Sequence, residues 1–221
     1  MGDELDTELA KGIYVNVGGS WYKAFSEWNE ATGGTVTDVD NYNGSGQKWR
    51  VHTFTSDGTF TVTKAKKPFR VLVCGGGGGG GGSGPYYHQG SGGHSGATNE
   101  QPTQELIPTS YSVTVGSGGK AGCNATWDAP AGNGGTSVFE VTDGVSIKAS
   151  GGVGGKSNTD GAGAKNANIK SNISGSEATY SGGVAGGGGV GYPGYGDGYG
   201  HCHESGQVGT HGIVIIAYQI G

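Results

Sequence analysis

The sequence predicts an all-β protein: a small antiparallel β-sandwich carrying long glycine-rich, polyglycine-II-like excursions, plus an N-terminal β-hairpin segment. Three observations lead there. Short runs with period-two alternation recur along the chain. No long helical periodicity appears after residue 11. Glycine, at 52 of 221 residues, is concentrated in stretches interleaved with those runs.

The elements follow in order. Ile13–Val17 and Trp21–Phe25 are β-like, and Gly18-Gly19-Ser20 between them is hairpin turn chemistry. Residues 3–11 are a candidate short helix. Residues 1–28 form one segment, and residues 29–46, rich in Gly, Thr, Asn and Asp, read as a linker to a domain over 47–221. In that domain Trp49–Thr55 alternates, Ser56-Asp57-Gly58 turns, and Thr59–Thr63 alternates again. Phe69–Cys74 is continuously apolar, as a central strand should be. Tyr111–Val115 alternates. Thr136–Val141 and Val145–Ala149 form a hairpin around Thr142-Asp143-Gly144. Gly212–Gln219 holds the most apolar run, Ile213–Ala217, and must be central. Val71, Val73, Val113, Val115, Ile213 and Ile215 are expected in one buried core.

Val71–Cys74 leads directly into eight glycines, Gly75–Gly82. Glycine loses more backbone freedom on ordering than any other residue, so a free run would be disordered. Collagen is excluded, because proline totals six and the glycines keep no strict register. The geometry that accepts ordered polyglycine is the polyproline-II type of helix. It has three residues per turn and no internal hydrogen bonds, so its N–H and C=O groups pair with neighbouring segments. At roughly 3.1 Å per residue the run spans about 25 Å. Gly186–Gly189 is a second candidate for this conformation.

Composition bounds function. Hydrophobic residues make up only 32% of the chain, enough for one modest core. A formal net charge of −5 argues against nucleic acid or an anionic membrane surface as partner. No stretch of 18 apolar residues exists, so no membrane insertion is expected. Met1–Asp6 is acidic and lacks the apolar core of a signal peptide. Cys74, Cys123 and Cys202 cannot all pair, and free thiols in a reducing cytosol are expected during synthesis.

Several motifs imitate chemistry. Ser150–Ser157 after a strand resembles a phosphate-binding loop, but Ser150 stands where that motif wants glycine, and no helix follows. His201 and His203 could share a metal, with His88, His94 and His211 as candidate partners. No C-x-x-C or H-E-x-x-H spacing surrounds them, so a polar loop is the ordinary reading. Asp38–Gly44 hints at a calcium loop, but Tyr42 and Asn43 replace a ligand and the required glycine. No nucleophile context or carboxylate pair is readable, and no cofactor motif survives. The chain reads as a non-enzyme.

Aromatic residues inside the glycine-rich stretches are more suggestive: Tyr86, Tyr87, Trp127, Tyr192, Tyr195 and Tyr199. Tyrosine among glycine and serine is paratope chemistry, a rigid contact at low entropy cost surrounded by adaptable hydrogen-bonding groups. The competing reading lays these rings on the glycine backbone as caps.

The blocks Trp49…Phe54–Phe60, Val71–Cys74 with its glycine run, Tyr111–Gly119, Gly135–Phe139 and Gly212–Ile216 resemble, in this order, the glycine-rich domain of bacteriophage minor tail and tail-fibre tip proteins. Ile13–Trp21 is similar to a short module of phage tail proteins. The chain also resembles glycine-rich phage adhesins. The resemblance implies a virion tail component, assembled in the host cytoplasm. It further implies other tail proteins as partners docked through residues 1–28, a homotrimer, and contact with a host surface glycan or protein. The alternative is an exported glycine-rich cell-wall or matrix protein.

Overall fold

The computed structural model describes residues 14–23, 28–82, 90–122, 130–142, 144–156, 168–181 and 206–221. The candidate helix at 3–11 lies outside them. Two hairpins and two five-stranded antiparallel sheets account for the strands. The first hairpin pairs β1 (Tyr14–Val17) with β2 (Ser20–Lys23) across Gly18-Gly19, both at positive φ.

One sheet has the order β11-β10-β9-β6-β3. Its strands are β3 (Glu30–Thr32), β6 (Gly58–Lys64), β9 (Ser110–Thr114), β10 (Ser137–Thr142) and β11 (Val145–Ala149). The other has the order β4-β5-β14-β7-β8. It comprises β4 (Thr35–Val39), β5 (Trp49–Phe54), β7 (Phe69–Cys74), β8 (Thr98–Gln104) and β14 (Ile213–Gln219). A further hairpin, β12 (Asn168–Ser171) with β13 (Ala178–Ser181), completes the set. The only helical piece among the described residues is a 3-10 turn at Tyr42–Gly44.

Alternation builds the sandwich interior. Phe60, Val62, Tyr111, Val113, Phe139 and Ile147 from the first sheet meet Phe54, Phe69, Val71, Val73, Val214, Ile216 and Tyr218 from the second. Aromatic rings dominate it. Phe60 meets Phe54, Phe69 and Phe139 edge to face, at centroid distances of 6.5, 6.0 and 6.2 Å, the spacing such pairs prefer. Tyr111 closes a corner: its hydroxyl donates to the Ile107 carbonyl and accepts from the Ile107 N–H.

The expectation of one core holding Val71, Val73, Val113, Val115, Ile213 and Ile215 needs correction. The four valines lie inside the sandwich. Ile215 joins Leu72, Cys74, Val51 and Ala217 on the outer face of the second sheet, and Ile213 is only partly buried there. The reason is the two-residue period: β14 and β7 are apolar on both faces because both are covered. Tyr42 and Ile173 cover that outer face, with Ile169 and Tyr180 packed beside them. Burial there pushes the Cys74 thiol up to about 12.

Residues 29–46 are not a linker. They supply an edge strand to each sheet, β3 against β6 and β4 against β5. Gly33 and Gly34, at φ +118° and +60°, carry the chain from one sheet to the other. A Cβ on Gly33 would fall on the Thr59 carbonyl. Edge strands face solvent, so these carry threonine and acid in place of an apolar pattern. The turn Ser56–Gly58 likewise crosses between sheets, because β5 and β6 are not neighbours. Two of the stretches rich in Gly, Ser, Asn and Tyr that interrupt the expected strands also contain strands, β8 within 75–109 and β12–β13 within 150–211. β8 is polar and contains Pro102, which an edge strand tolerates, and its register shifts opposite Phe69–Val71.

His52 is buried between the sheets. Its ring donates from Nδ1 to the Gly33 carbonyl at 2.7 Å and accepts at Nε2 from the Tyr218 hydroxyl at 3.1 Å. The same hydroxyl accepts from the Ala31 N–H of the opposite sheet. Burial first, then the nearby Arg50 cation, holds the imidazole below its ordinary value, against the carbonyl bond to Gly33 and the Asp38 charge. The unfolded chain titrates near 6.5, so below that pH it binds a proton that the native ring refuses. Stability is therefore expected to fall as pH drops through about 6.5 and to stop falling below the depressed native value. Urea midpoints measured from pH 8 to pH 5 check this. The slope should flatten in His52→Gln, and an unchanged slope would assign it to another group.

Candidate functional site

Six strand ends meet at one end of the sandwich. From there β7, β9 and β11 run outward as 75–82, 116–122 and 150–156. Segments 90–97, 130–136 and 206–212 run back into β8, β10 and β14. Their backbones form a bundle around the glycine run, which has the three-residue repeat expected of a polyproline-II type helix.

The repeat is visible in the hydrogen bonds. Gly75, Gly78 and Gly81 donate to the carbonyls of Ala97, His94 and Ser91. Gly76 and Gly79 donate to Gly135 and Gly132, and Gly77 and Gly80 to Thr210 and Gln207. Each third of a turn thus serves one antiparallel neighbour. Two parallel neighbours donate inward: Gly152 and Gly155 to the carbonyls of Gly76 and Gly79, and Gly119 and Gly122 to those of Gly77 and Gly80. The outer segments also bond one another. His94 donates to Val153, Gly134 to Gly152, Gly132 to Lys120 and Gly209 to Gly119. Among the described residues, five segments therefore flank the central run.

This arrangement explains the glycine spacing. The central run is flanked by these five segments and is all glycine. A Cβ on Gly75, Gly76, Gly78 or Gly79 would fall on a backbone carbonyl of Ser150, Ser117, Val153 or Lys120. In the outer segment Ser150–Lys156 two of every three residues are glycine. Ser150, Val153 and Lys156 point outward, with Val153 57% exposed. In 206–212 only Gly206, Gly209 and Gly212 are glycine, and Gln207, Val208, Thr210 and His211 are exposed. At the base of the bundle the buried Ser137 hydroxyl donates to the Cys74 carbonyl and accepts from the Gly116 N–H, fastening sandwich to bundle.

The phosphate-loop likeness at 150–157 dissolves in this geometry. The N–H groups of Gly152 and Gly155 are spent on the central run, that of Gly154 on Asn133 Oδ1 and that of Lys156 on Ser91 Oγ. The calcium-loop likeness dissolves too. Asp38 is held by Arg50, whose hydrogen bond keeps the carboxyl below its usual range, and Asp40 pairs with Lys48.

Tyr86, Tyr87, Trp127, Tyr192, Tyr195 and Tyr199 lie outside the described residues, as do His201, His203 and Gly186–Gly189. The structure does bring together the stems from which these stretches leave. Gly82 and Gly90 flank Tyr86-Tyr87, Gly122 and Pro130 flank Trp127, and Gly206 follows the stretch 182–205. The bonds Gly81 to Ser91, Gly122 to Gly80 and Gly80 to Gln207 place all of these stems at the outer end of the bundle. The outward positions Ser117, Lys120, Asn133, Val153 and Lys156 escaped sequence reading. Their signal was the repeat of two glycines in three along 150–156.

An all-β sandwich whose strands continue into a bundle of polyglycine-type helices defines a glycine-rich β domain. The chain belongs to the glycine-rich domain family, whose model matches residues 54–219. That span begins at the end of β5 and takes in the whole described bundle. No curated protein matches the chain.

Proposed function

We propose that this protein is a structural component of a bacteriophage tail tip or fibre and contributes to recognition of the host surface. The observation that carries the reading is the bundle. It is a scaffold held by backbone hydrogen bonds that gathers at one end both stems of the Tyr86-Tyr87 and Trp127 stretches and the stem by which 182–205 returns. Recognition residues set on loops held by a rigid frame are a common binding design. The ordered resemblance of the sequence blocks to phage tail proteins supplies the biological context. In this reading the role is binding, and the partners are other tail proteins and a host surface glycan or protein. The protein acts in the virion, as a homotrimer whose N-terminal segment docks onto the tail.

Phage adsorption tests the reading. Purified protein added to host cells before infection should reduce adsorption of the parent phage. An antibody against the outer end of the bundle should do the same. Unchanged adsorption in both arms, with the protein shown to be folded, would remove the recognition role.

A further inference from the structure

A second feature lies away from the bundle, on the outer face of the β7–β8 side of the sandwich. The β12–β13 hairpin stands over that face beside the 3-10 turn, and between them lies an open polar cleft of about 650 Å³. Its rim is fixed. The Asn43 N–H donates to the Gly175 carbonyl across the two walls. Gly175, at φ +97°, packs so tightly that a Cβ would stand 2.6 Å from Val39 Cγ1. The cleft is therefore preformed, as binding sites usually are.

Its chemistry is selective. Arg70 and Glu100 form an ion pair at 2.6 Å, with side chains only 17% and 19% exposed. Lys170 and Glu177 pair at 3.0 Å on the facing hairpin. Each cation in the cleft already has its carboxylate, so an anion or a metal ion would have to break a pair to enter. The lining is too polar for an apolar ligand. Arg70 is committed to the wall of the cleft. Nη1 is bonded to the Tyr42 hydroxyl and Nη2 to Glu100, while Nε is buried and has no partner. The Nε donor lies beneath the cleft surface, so the groups a ligand meets are the exposed Asn43, Lys170, Asn172, Ser176 and Glu177.

We infer that this cleft binds a neutral sugar unit of a host surface polysaccharide. A sugar hydroxyl both donates and accepts. It can therefore accept from the exposed Lys170 ammonium while donating to a Glu177 carboxylate oxygen, and Asn43 and Asn172 offer the amide pairs that adjacent hydroxyls use. No aromatic ring lines the cleft among the described residues, so affinity per site is weak, and repetition along a polysaccharide supplies the avidity. The inference rests on the host-surface reading for the source of the sugar, while the binding itself is tested without phage.

Amide chemical shifts of the full chain are followed while glucose, galactose, mannose and N-acetylglucosamine are added singly in large excess. Inorganic phosphate is added in a parallel arm. At least one sugar should move the amides of Asn43, Arg70 and Lys170–Glu177, and phosphate should not. Ser176→Trp fills the cleft from an exposed position without removing a hydrogen bond given above. It should abolish those shifts while leaving the melting temperature unchanged. No shift with any of the sugars overturns the inference, as does a response to phosphate alone. Shifts that persist in a folded Ser176→Trp chain overturn it too. Failure of the adsorption experiment with these shifts intact would count against the phage context and leave the sugar site standing.

Discussion

Gly78→Val should dismantle the polyglycine bundle. Gly78 sits mid-run, with its N–H on the His94 carbonyl, while His94 in turn donates to Val153. The new Cβ would fall on the Val153 carbonyl and within 2.9 Å of the Gly154 nitrogen. These are backbone atoms, held by their own bonds, and they cannot rotate aside as a side chain would. Overpacking plus the loss of inter-segment hydrogen bonds is expected to cost on the order of 3–5 kcal/mol. Val153→Ser is the control. It changes the same segment, but at an outward, exposed position, and should move stability by no more than about 0.5 kcal/mol. Thermal melts of the two variants decide the matter. A glycine in a free loop behaves oppositely, since a tolerated substitution stabilises by roughly 0.4–1 kcal/mol through the unfolded state. A Gly78→Val chain as stable as its parent would mean that the packed bundle does not exist in solution.

The strands that form the sandwich interior were readable because burial on one face writes a period of two. Phe60 with Val62, and Tyr111 with Val113, show it directly. The extended conformation of Gly75–Gly82 was readable from the run itself. What stayed hidden follows from the same physics. β3, β4 and β8 lie at sheet edges, where solvent accepts Thr, Asp, Gln and even Pro102, so no apolar period exists to read. The assignment of Ile215 to the outer face needed the β12–β13 hairpin, whose Ile173 is the only fully apolar residue between Ile169 and Tyr180 other than Ala178. The partners of the glycine run were hidden for a deeper reason. Backbone N–H and C=O groups pair without regard to residue identity, so no side chain announces which segment lies beside which. The sole trace is the spacing of the residues that are not glycine, as in Ser150, Val153 and Lys156. The cleft was hidden as well, because Arg70, Glu100, Lys170 and Glu177 meet only through the sheet register and the docked hairpin.

Among the described residues the bundle has no side-chain core of its own, and this makes the sandwich the foundation of both halves. Phe60 is the test position. It is fully buried, and its ring contacts Phe54, Phe69, Phe139 and His52. Phe60→Ala removes the shared centre of that cluster and should cost about 3–5 kcal/mol. The six bundle segments are continuations of sandwich strands, tied at Ser137 to the end of β7. Loosening the sandwich should therefore release the glycine helices in the same transition. Hydrogen exchange separates the two halves: the Ile216 amide reports the sandwich and the Gly79 amide the bundle. In Phe60→Ala both should lose protection together and by a similar factor. In Gly78→Val the Gly79 amide should be lost first, with Ile216 protection largely kept, because the sandwich retains its own core. If Gly79 stayed protected in Phe60→Ala while Ile216 exchanged, the glycine helices would be holding themselves together. The inter-segment hydrogen bonds, with no side-chain core beneath them, would then suffice to fold the bundle alone.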